Sequence, residues 1–271
     1  MTRNAALAAV LVALALVVPQ AALADTTITL AGSTALLPLV KDAASVYQAA
    51  HPDVKIAVSG GGSGTGLNQV AAKAIDVGNS DILAPAHPEL VDHRVAVIGF
   101  AIVANPAVGV KNLSKAQIQD VFTGKVTNWK EVGGADQKIT VVNRPRSSGT
   151  RAVFTKTLMG GKSAAETGLT EDATGTVVDV VSKTPGAVSY AALSGTRGKA
   201  LLELSVDGVA PTDENIHAGK YPVWSYEHMF TNGHPSADVS RFIAFITSNA
   251  ALVKKDGYLL IRDMKVTETD R

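Results

Sequence analysis

Ser59-Gly60-Gly61-Gly62-Ser63-Gly64-Thr65-Gly66 stands between a β-branched run, Val54–Val58, and an amphipathic segment, Leu67–Ala74. The run reads as a strand and the segment as a helix, so the small residues between them form a strand-to-helix turn. The same unit recurs twice. Gly32-Ser33-Thr34 follows Thr26–Leu30 and leads into Ala35–Ala50. Ser147-Ser148-Gly149-Thr150 follows Ile139–Asn143 and leads into Arg151–Met159. Elsewhere Val97–Val103 and Ala187–Tyr190 read as strands, and Lys115–Phe122, Val177–Ser182 and Ala237–Leu252 as helices. The first of these helices opens on a Ser114-Lys-Ala-Gln117 capping box. Strands alternating with helices predict an α/β architecture with mainly parallel or mixed sheets.

Each of the three turns has the makings of an anion site. A helix N-terminus carries unpaired N–H groups and the positive end of the macrodipole. Ser and Thr add hydroxyl donors, and Gly lets a ligand approach the backbone. One such turn is weak, since Ser and Thr are ordinary N-caps. Three of one kind, at the carboxyl ends of strands where α/β sheets hold ligands, point to a shared site. The third turn adds charge, in Asn143-Arg144-Pro145-Arg146-Ser147-Ser148-Gly149-Thr150-Arg151. Arg144, at a strand end beside the turn, reads as an oxyanion ligand, because a guanidinium offers a fixed fork of donors. Arg151, inside the helix, reads as a solvated charge. Asp81, in Gly78-Asn79-Ser80-Asp81, has two readings on spacing alone. It caps a neighbouring turn, or it accepts the proton of a protonated oxyanion such as hydrogen phosphate. Sulfate brings no such proton and would set a like charge against it.

Other chemistries fail on spacing. The glycine-rich segment lacks the lysine of a P-loop, with none before Lys73, and no frame fits Gly-x-Gly-x-x-Gly. Ser63 has Gly61 before it but Thr65 after it, so it is no nucleophile elbow. The six histidines are scattered without an HExxH pattern, which argues against a metal site. Trp129, Trp224 and Tyr226 read as core or hinge packing.

Composition narrows the class further. The 271 residues include no cysteine, 25 Lys and Arg against 24 Asp and Glu, and 5% aromatics. Disulfide frameworks, thiol catalysis and cysteine-held metals are thereby excluded, and near-neutral charge argues against a nucleic-acid partner. Residues 1–24 read as a signal peptide: Arg3, an apolar run from Ala5 to Val18, and Ala22-Leu23-Ala24 as the cleavage pattern. The apolar run is too short to span a bilayer. Without Arg3, the expected mature chain from residue 25 carries 24 charges of each sign. No cysteine follows the apolar run, so a lipid anchor is not expected, and an exported, soluble protein is.

Taken in order, Gly32-Ser33-Thr34-Ala35-Leu36-Leu37-Pro38-Leu39, Gly62-Ser63-Gly64-Thr65-Gly66, Gly78-Asn79-Ser80-Asp81, Leu113-Ser114-Lys115 through Phe122-Thr123-Gly124-Lys125-Val126-Thr127-Asn128-Trp129, and Ser147-Ser148-Gly149-Thr150-Arg151 resemble the periplasmic phosphate-binding protein of ATP-driven (ABC-type) phosphate importers. The resemblance runs over most of the chain beyond residue 24. It implies a two-lobed, type II-like periplasmic binding fold with a mixed sheet in each lobe. One lobe would hold 25–101 and 226–271 and the other 102–225. Two hinge crossovers would lie near Ala101–Asn105 and Val223–Tyr226.

The resemblance also implies a ligand set. Thr34 and the Ala35 amide would grip one face of the phosphate with Ser33 nearby, and Ser63 would donate from the second turn. Asp81 would accept the phosphate proton, and Arg144 would supply the one full positive charge. Ser148, Gly149 and Thr150 would donate from the other lobe. The family implies no enzyme activity and no cofactor. It implies inorganic phosphate and membrane permease subunits as partners, a monomer, and a periplasmic location. Two positions depart from its pattern. Ala35 stands where an aromatic is frequent, and Arg146 stands where an acid often pairs with the liganding arginine. Arg146 is therefore expected either to raise the potential at the cleft mouth or to touch the anion itself. A receptor for sulfate, molybdate or tungstate is the alternative within the class. A secreted phosphoester hydrolase using Ser63 or Ser148 is the alternative outside it.

Overall fold

The computed structural model describes residues 26–166 and 168–271. The expected signal peptide lies outside the described residues. In chain order the elements are β1 (Thr26–Gly32), α1 (Leu37–Ala50), β2 (Val54–Gly61), α2 (Ser63–Ala71), β3 (Val77–Ser80), β4 (Leu90–Ala104), β5 (Asn112–Leu113), α3 (Lys115–Phe122), β6 (Thr140–Asn143), α4 (Gly149–Phe154), β7 (Leu169–Thr170), α5 (Thr174–Lys183), β8 (Ala187–Ala192), α6 (Leu193–Thr196), β9 (Leu202–Val206), α7 (Asp213–His217), β10 (Trp224–Asn232), α8 (Ala237–Ser248) and α9 (Ala250–Lys255). The alternation expected from the sequence is present, and the fold is mixed α/β.

One strand joins two sheets. The first runs β2-β1-β3-β10-β4, with β1 parallel to β2 and β3, and β10 antiparallel to both β3 and β4. Its pairing with β10 ends at Gly99, opposite Trp224. From Phe100 onward β4 pairs instead with β8 and β9. Beyond β8 lie β6 and β7, both parallel. The changeover is held by the Phe100 N–H donating to the Val223 carbonyl at 2.8 Å and the Tyr221 hydroxyl donating to the Phe100 carbonyl at 3.0 Å. Trp129, Trp224 and Tyr226 are all buried, as packing residues should be.

Local chemistry sets the boundaries of the elements. α1 begins at Leu37 rather than Ala35, with Pro38 in its first turn, where a missing N–H costs nothing. It buries Leu39, Val40, Ala43, Ala44 and Tyr47 on one face. α2 begins at Ser63 and α4 at Gly149, earlier than expected, so both turns run straight into helix. α4 then widens into a π-helical turn over Thr155–Met159. α3 opens on the reciprocal capping box of Ser114 and Gln117. The single helix expected over Ala237–Leu252 is two helices, because Asn249 leaves the helical conformation and its side chain caps the second by accepting from the Leu252 N–H. Among the described residues no helix is long and apolar enough to cross a membrane.

Candidate functional site

The parallel strands β1, β2 and β3 end side by side, at Gly32, Gly61 and Ser80. From those carboxyl ends come Ser33 and Thr34, Ser63, and Asp81. The end of β6 supplies Arg144, and the turn into α4 supplies Ser148, Gly149 and Thr150. All are buried: Ser33, Asp81, Arg144 and Thr150 each expose 1% of their surface and Ser63 none. The two groups of turns meet face to face. The Gly64 N–H donates to the Ser147 carbonyl at 2.9 Å, and the Thr150 hydroxyl donates to Asp81 Oδ2 at 3.0 Å. The Arg144 guanidinium donates through Nη2 to Thr34 Oγ1 at 3.0 Å. Gly62, at φ +89°, lies so close that a Cβ there would sit 2.7 Å from the Ser147 carbonyl oxygen.

The hydroxyls are pre-set as donors. Ser33 Oγ accepts from the Ala35 and Leu36 N–H groups at 3.0 and 3.1 Å. Ser63 Oγ accepts from the Asp81 N–H at 2.9 Å, and Ser148 Oγ from the Arg151 N–H at 3.2 Å. Thr34 Oγ1 accepts from Arg144 and from the Thr174 N–H at 3.3 Å. A hydroxyl has one proton and two lone pairs, so oxygens that accept from N–H groups keep the proton for another acceptor. The same geometry bears on the Ala35 amide. The Ala35 N–H is engaged by Ser33 Oγ, so in this arrangement the Ser33 hydroxyl, rather than that amide, is left to donate.

Arg144 is held from three sides. Its N–H donates to Asn143 Oδ1 at 3.0 Å, and that oxygen also accepts from the Tyr190 hydroxyl at 2.7 Å. Burial pushes the Tyr190 phenol up to about 12, so it remains a donor. Its ring stacks on Phe154 at 4.1 Å, anchoring the strand end to α4. The Arg144 carbonyl accepts from Arg151 Nη1 at 2.6 Å, and Nη2 also donates to the Asp172 carbonyl. Nε and Nη1, by contrast, are buried without a hydrogen-bond partner, as is Asp81 Oδ1. Burial lowers the affinity of Arg144 for its proton, and nearby Asp81 opposes that. Burial raises the Asp81 carboxyl above its usual range, against the pull of the Ser33 and Thr150 hydroxyls and of Arg144.

Arg151 is not the solvated charge expected. Its side chain is mostly buried and bridges the Arg144 carbonyl to Glu166 Oε1, at 2.7 Å from the latter. That contact holds the Glu166 carboxyl below its ordinary range. Arg146 points outward, 88% exposed, and lies 3.8 Å from the same carboxylate. Glu166 thus provides the acid that position 146 lacks, through Arg151. Its distance in the sequence from Arg144 hid it. Sequence reading also passed over Thr174 and Glu227. Thr174 supports Thr34 through its N–H, and Glu227 lies buried beneath Asp81. Among the described residues no cluster of three or more His, Asp or Glu side chains could hold a metal ion.

Turns of small hydroxylated residues converging on one buried arginine and one buried aspartate, at the ends of strands in two joined sheets, make an oxyanion receptor. The chain belongs to the PBP superfamily, whose domain profile matches residues 17–250. It is 45% identical over 252 residues to the phosphate-binding protein PstS of Bacillus subtilis (strain 168), covering 90% of this chain and 84% of that one. Among solved structures it resembles an ABC-type phosphate transport receptor from Vibrio cholerae, at TM-score 0.72 and 30% identity, over 86% of this chain and 99% of that one. A protein from Clostridium perfringens, described as a phosphate ABC transporter substrate-binding protein and solved with bound phosphate, aligns at TM-score 0.82 and 27% identity. That match covers 87% of this chain and the whole of the other.

Proposed function

We propose that this protein captures inorganic phosphate between its two halves and delivers it to the membrane permease of an ABC importer. The observation that carries the proposal is the Arg144 guanidinium, 1% exposed, with Nε and Nη1 unpartnered and Asp81 beside it. A buried arginine with two free donor atoms calls for an anion. A buried carboxylate at the same place calls for an anion that carries a proton. Hydrogen phosphate meets both demands, and sulfate meets one.

The ligand set is Ser33, Thr34, Ser63, Asp81, Arg144, Ser148, Gly149 and Thr150. Ala35 contributes by placing Ser33. Residues 25–101 with 226–271 form one lobe and 102–225 the other. The changeover of β4 at Gly99–Phe100 and the nearby Val223–Trp224 connection act as the hinge. The protein works as a monomer without a cofactor, after export directed by residues 1–24. It binds and does not turn over its ligand. Ser63 and Ser148 accept from backbone N–H groups, and among the described residues neither hydroxyl is hydrogen-bonded to a histidine, the usual base of a serine nucleophile.

Calorimetric titration of the purified protein with phosphate and with sulfate across the mildly acidic to neutral range tests the proposal. Tight phosphate binding with far weaker sulfate binding is expected. Equal affinities at neutral pH would remove Asp81 as a proton acceptor and favour the general oxyanion receptor.

A further inference from the structure

Glu227 lies in the middle of β10, with none of its surface exposed. It has no ion-pair partner, and neither of its carboxyl oxygens accepts from any donor among the described residues. Successive side chains on a strand alternate, so Glu227 shares its face with Ser225 and Met229. Ser225 Oγ donates to the Asp81 carbonyl at 2.8 Å, and Met229 lies opposite Asn79. Glu227 is therefore aimed at the floor of the anion site, where the charge of the Asp81 carboxyl acts on it. The other ionisable groups around the pair are Tyr258, whose hydroxyl donates to the Ala35 carbonyl, and Arg144 beyond Asp81. His228, the next residue, points the other way, to Asp92.

Two ionised carboxylates cannot donate to each other, and both Glu227 oxygens are buried without a donor. One guanidinium cannot balance both of them together with an incoming dianion. A single shared proton resolves both problems. The environments differ: Asp81 has the Thr150 hydroxyl and Arg144 to stabilise its charge, whereas Glu227 has neither. Burial and the neighbouring Asp81 charge both push the Glu227 carboxyl well above its ordinary range.

We infer that Glu227 is a neutral carboxylic acid that donates a hydrogen bond to Asp81, keeping Asp81 ionised as a pure acceptor and so setting the site's preference for a protonated oxyanion. Glu227 is a positioning residue: it acts on the anion only through Asp81. The inference rests on the reading of the site as a phosphate receptor.

The test uses the full chain and two variants, Glu227→Gln and Glu227→Leu, titrated with inorganic phosphate and sulfate from mildly acidic to neutral pH. Gln presents a donor in the same place without titrating, and is expected to rescue phosphate affinity and the preference over sulfate. Leu removes the donor. Asp81 then protonates more readily, phosphate affinity falls roughly tenfold or more, and sulfate binding appears at the acidic end, where a protonated Asp81 can donate. Isotope-edited infrared spectra of glutamate-labelled protein should show a protonated-carboxyl stretch at neutral pH in the wild type and lose it in Glu227→Gln. That measurement stands even where the Leu variant does not fold. Absence of the band, equal losses in the Gln and Leu variants, or a Leu variant with unchanged selectivity would each overturn the inference. A wild type that shows the band but binds no phosphate would overturn the receptor reading instead.

Discussion

Replacing Asp81 with Asn changes one charge and almost no volume. Asp81 Oδ2 accepts from the Thr150 hydroxyl at 3.0 Å, while Oδ1 is the buried atom left without a partner. Asn can keep its carbonyl oxygen towards Thr150, and its amide then takes the place of Oδ1. An acceptor facing the anion becomes a donor. For hydrogen phosphate the variant loses a hydrogen bond to a charged group, about 1.5–3 kcal/mol. It also loses a negative charge, which strengthens the pull of Arg144 on any dianion. That second effect confounds a simple affinity measurement, since at short range inside a protein it amounts to several kcal/mol. It acts on phosphate and sulfate alike, however, and cancels in their ratio. The ratio of dissociation constants, measured by calorimetry for both anions in one buffer, should therefore shift toward sulfate by about 10- to 150-fold from the lost bond alone. The amide N–H donated to sulfate increases the shift. A ratio unchanged in Asp81→Asn would refute the reasoning, because no proton of the ligand could then be bonded to this carboxylate.

Three further outcomes are expected. Arg144→Ala should abolish measurable phosphate binding, whereas Arg146→Ala, at an 88% exposed side chain, should change it by less than about threefold; the opposite pattern in titrations would transfer the anion contact to Arg146. Gly149→Ala would place a Cβ 2.1 Å from Ser63 Oγ and 2.9 Å from Asp81 Cβ, so thermal unfolding should show a loss of about 1–3 kcal/mol together with weakened binding. The Glu227 carboxyl, raised in the folded state, contributes stability that is fully present below its unfolded value near 4.5 and is lost as pH rises through its folded value. Glu227→Gln should therefore gain stability relative to wild type as pH rises above that lower value, by up to about 1.4 kcal/mol per pH unit; parallel melting curves across pH would show that the group does not titrate on unfolding.

The three small-polar turns could be read from the sequence because each is local: a strand, a few Gly, Ser and Thr residues, and a helix, all contiguous. Which turns meet is a matter of topology, and spacing alone left Asp81 balanced between a cap and a ligand. Long-range partners were not legible. Arg151 looked like a surface charge because Glu166 and the Arg144 carbonyl reach it only through the fold. β10 escaped notice because Ser225, Glu227, His228 and Thr231 break up its apolar run. Those polar residues are buried only because β3 and β4 flank it. The Ala35 amide is a ligand only by the family resemblance, and its hydrogen bond to Ser33 Oγ is a detail of the turn that no motif spells out.

The position of β10 bears on when the molecule can fold. It is the strand between β3 and β4, yet it comes from residues 224–232, far later in the chain than either neighbour. Until Asn232 is available, the inner edges of both strands remain unpaired and the first sheet is split. A growing chain in that condition cannot close its core, and bare edges of this kind invite association with other chains. Late supply of a central strand thus acts as a timer, keeping the first sheet open until Asn232 has been made. The second sheet has no such wait, since β4 finds β8 and β9 among residues that precede β10.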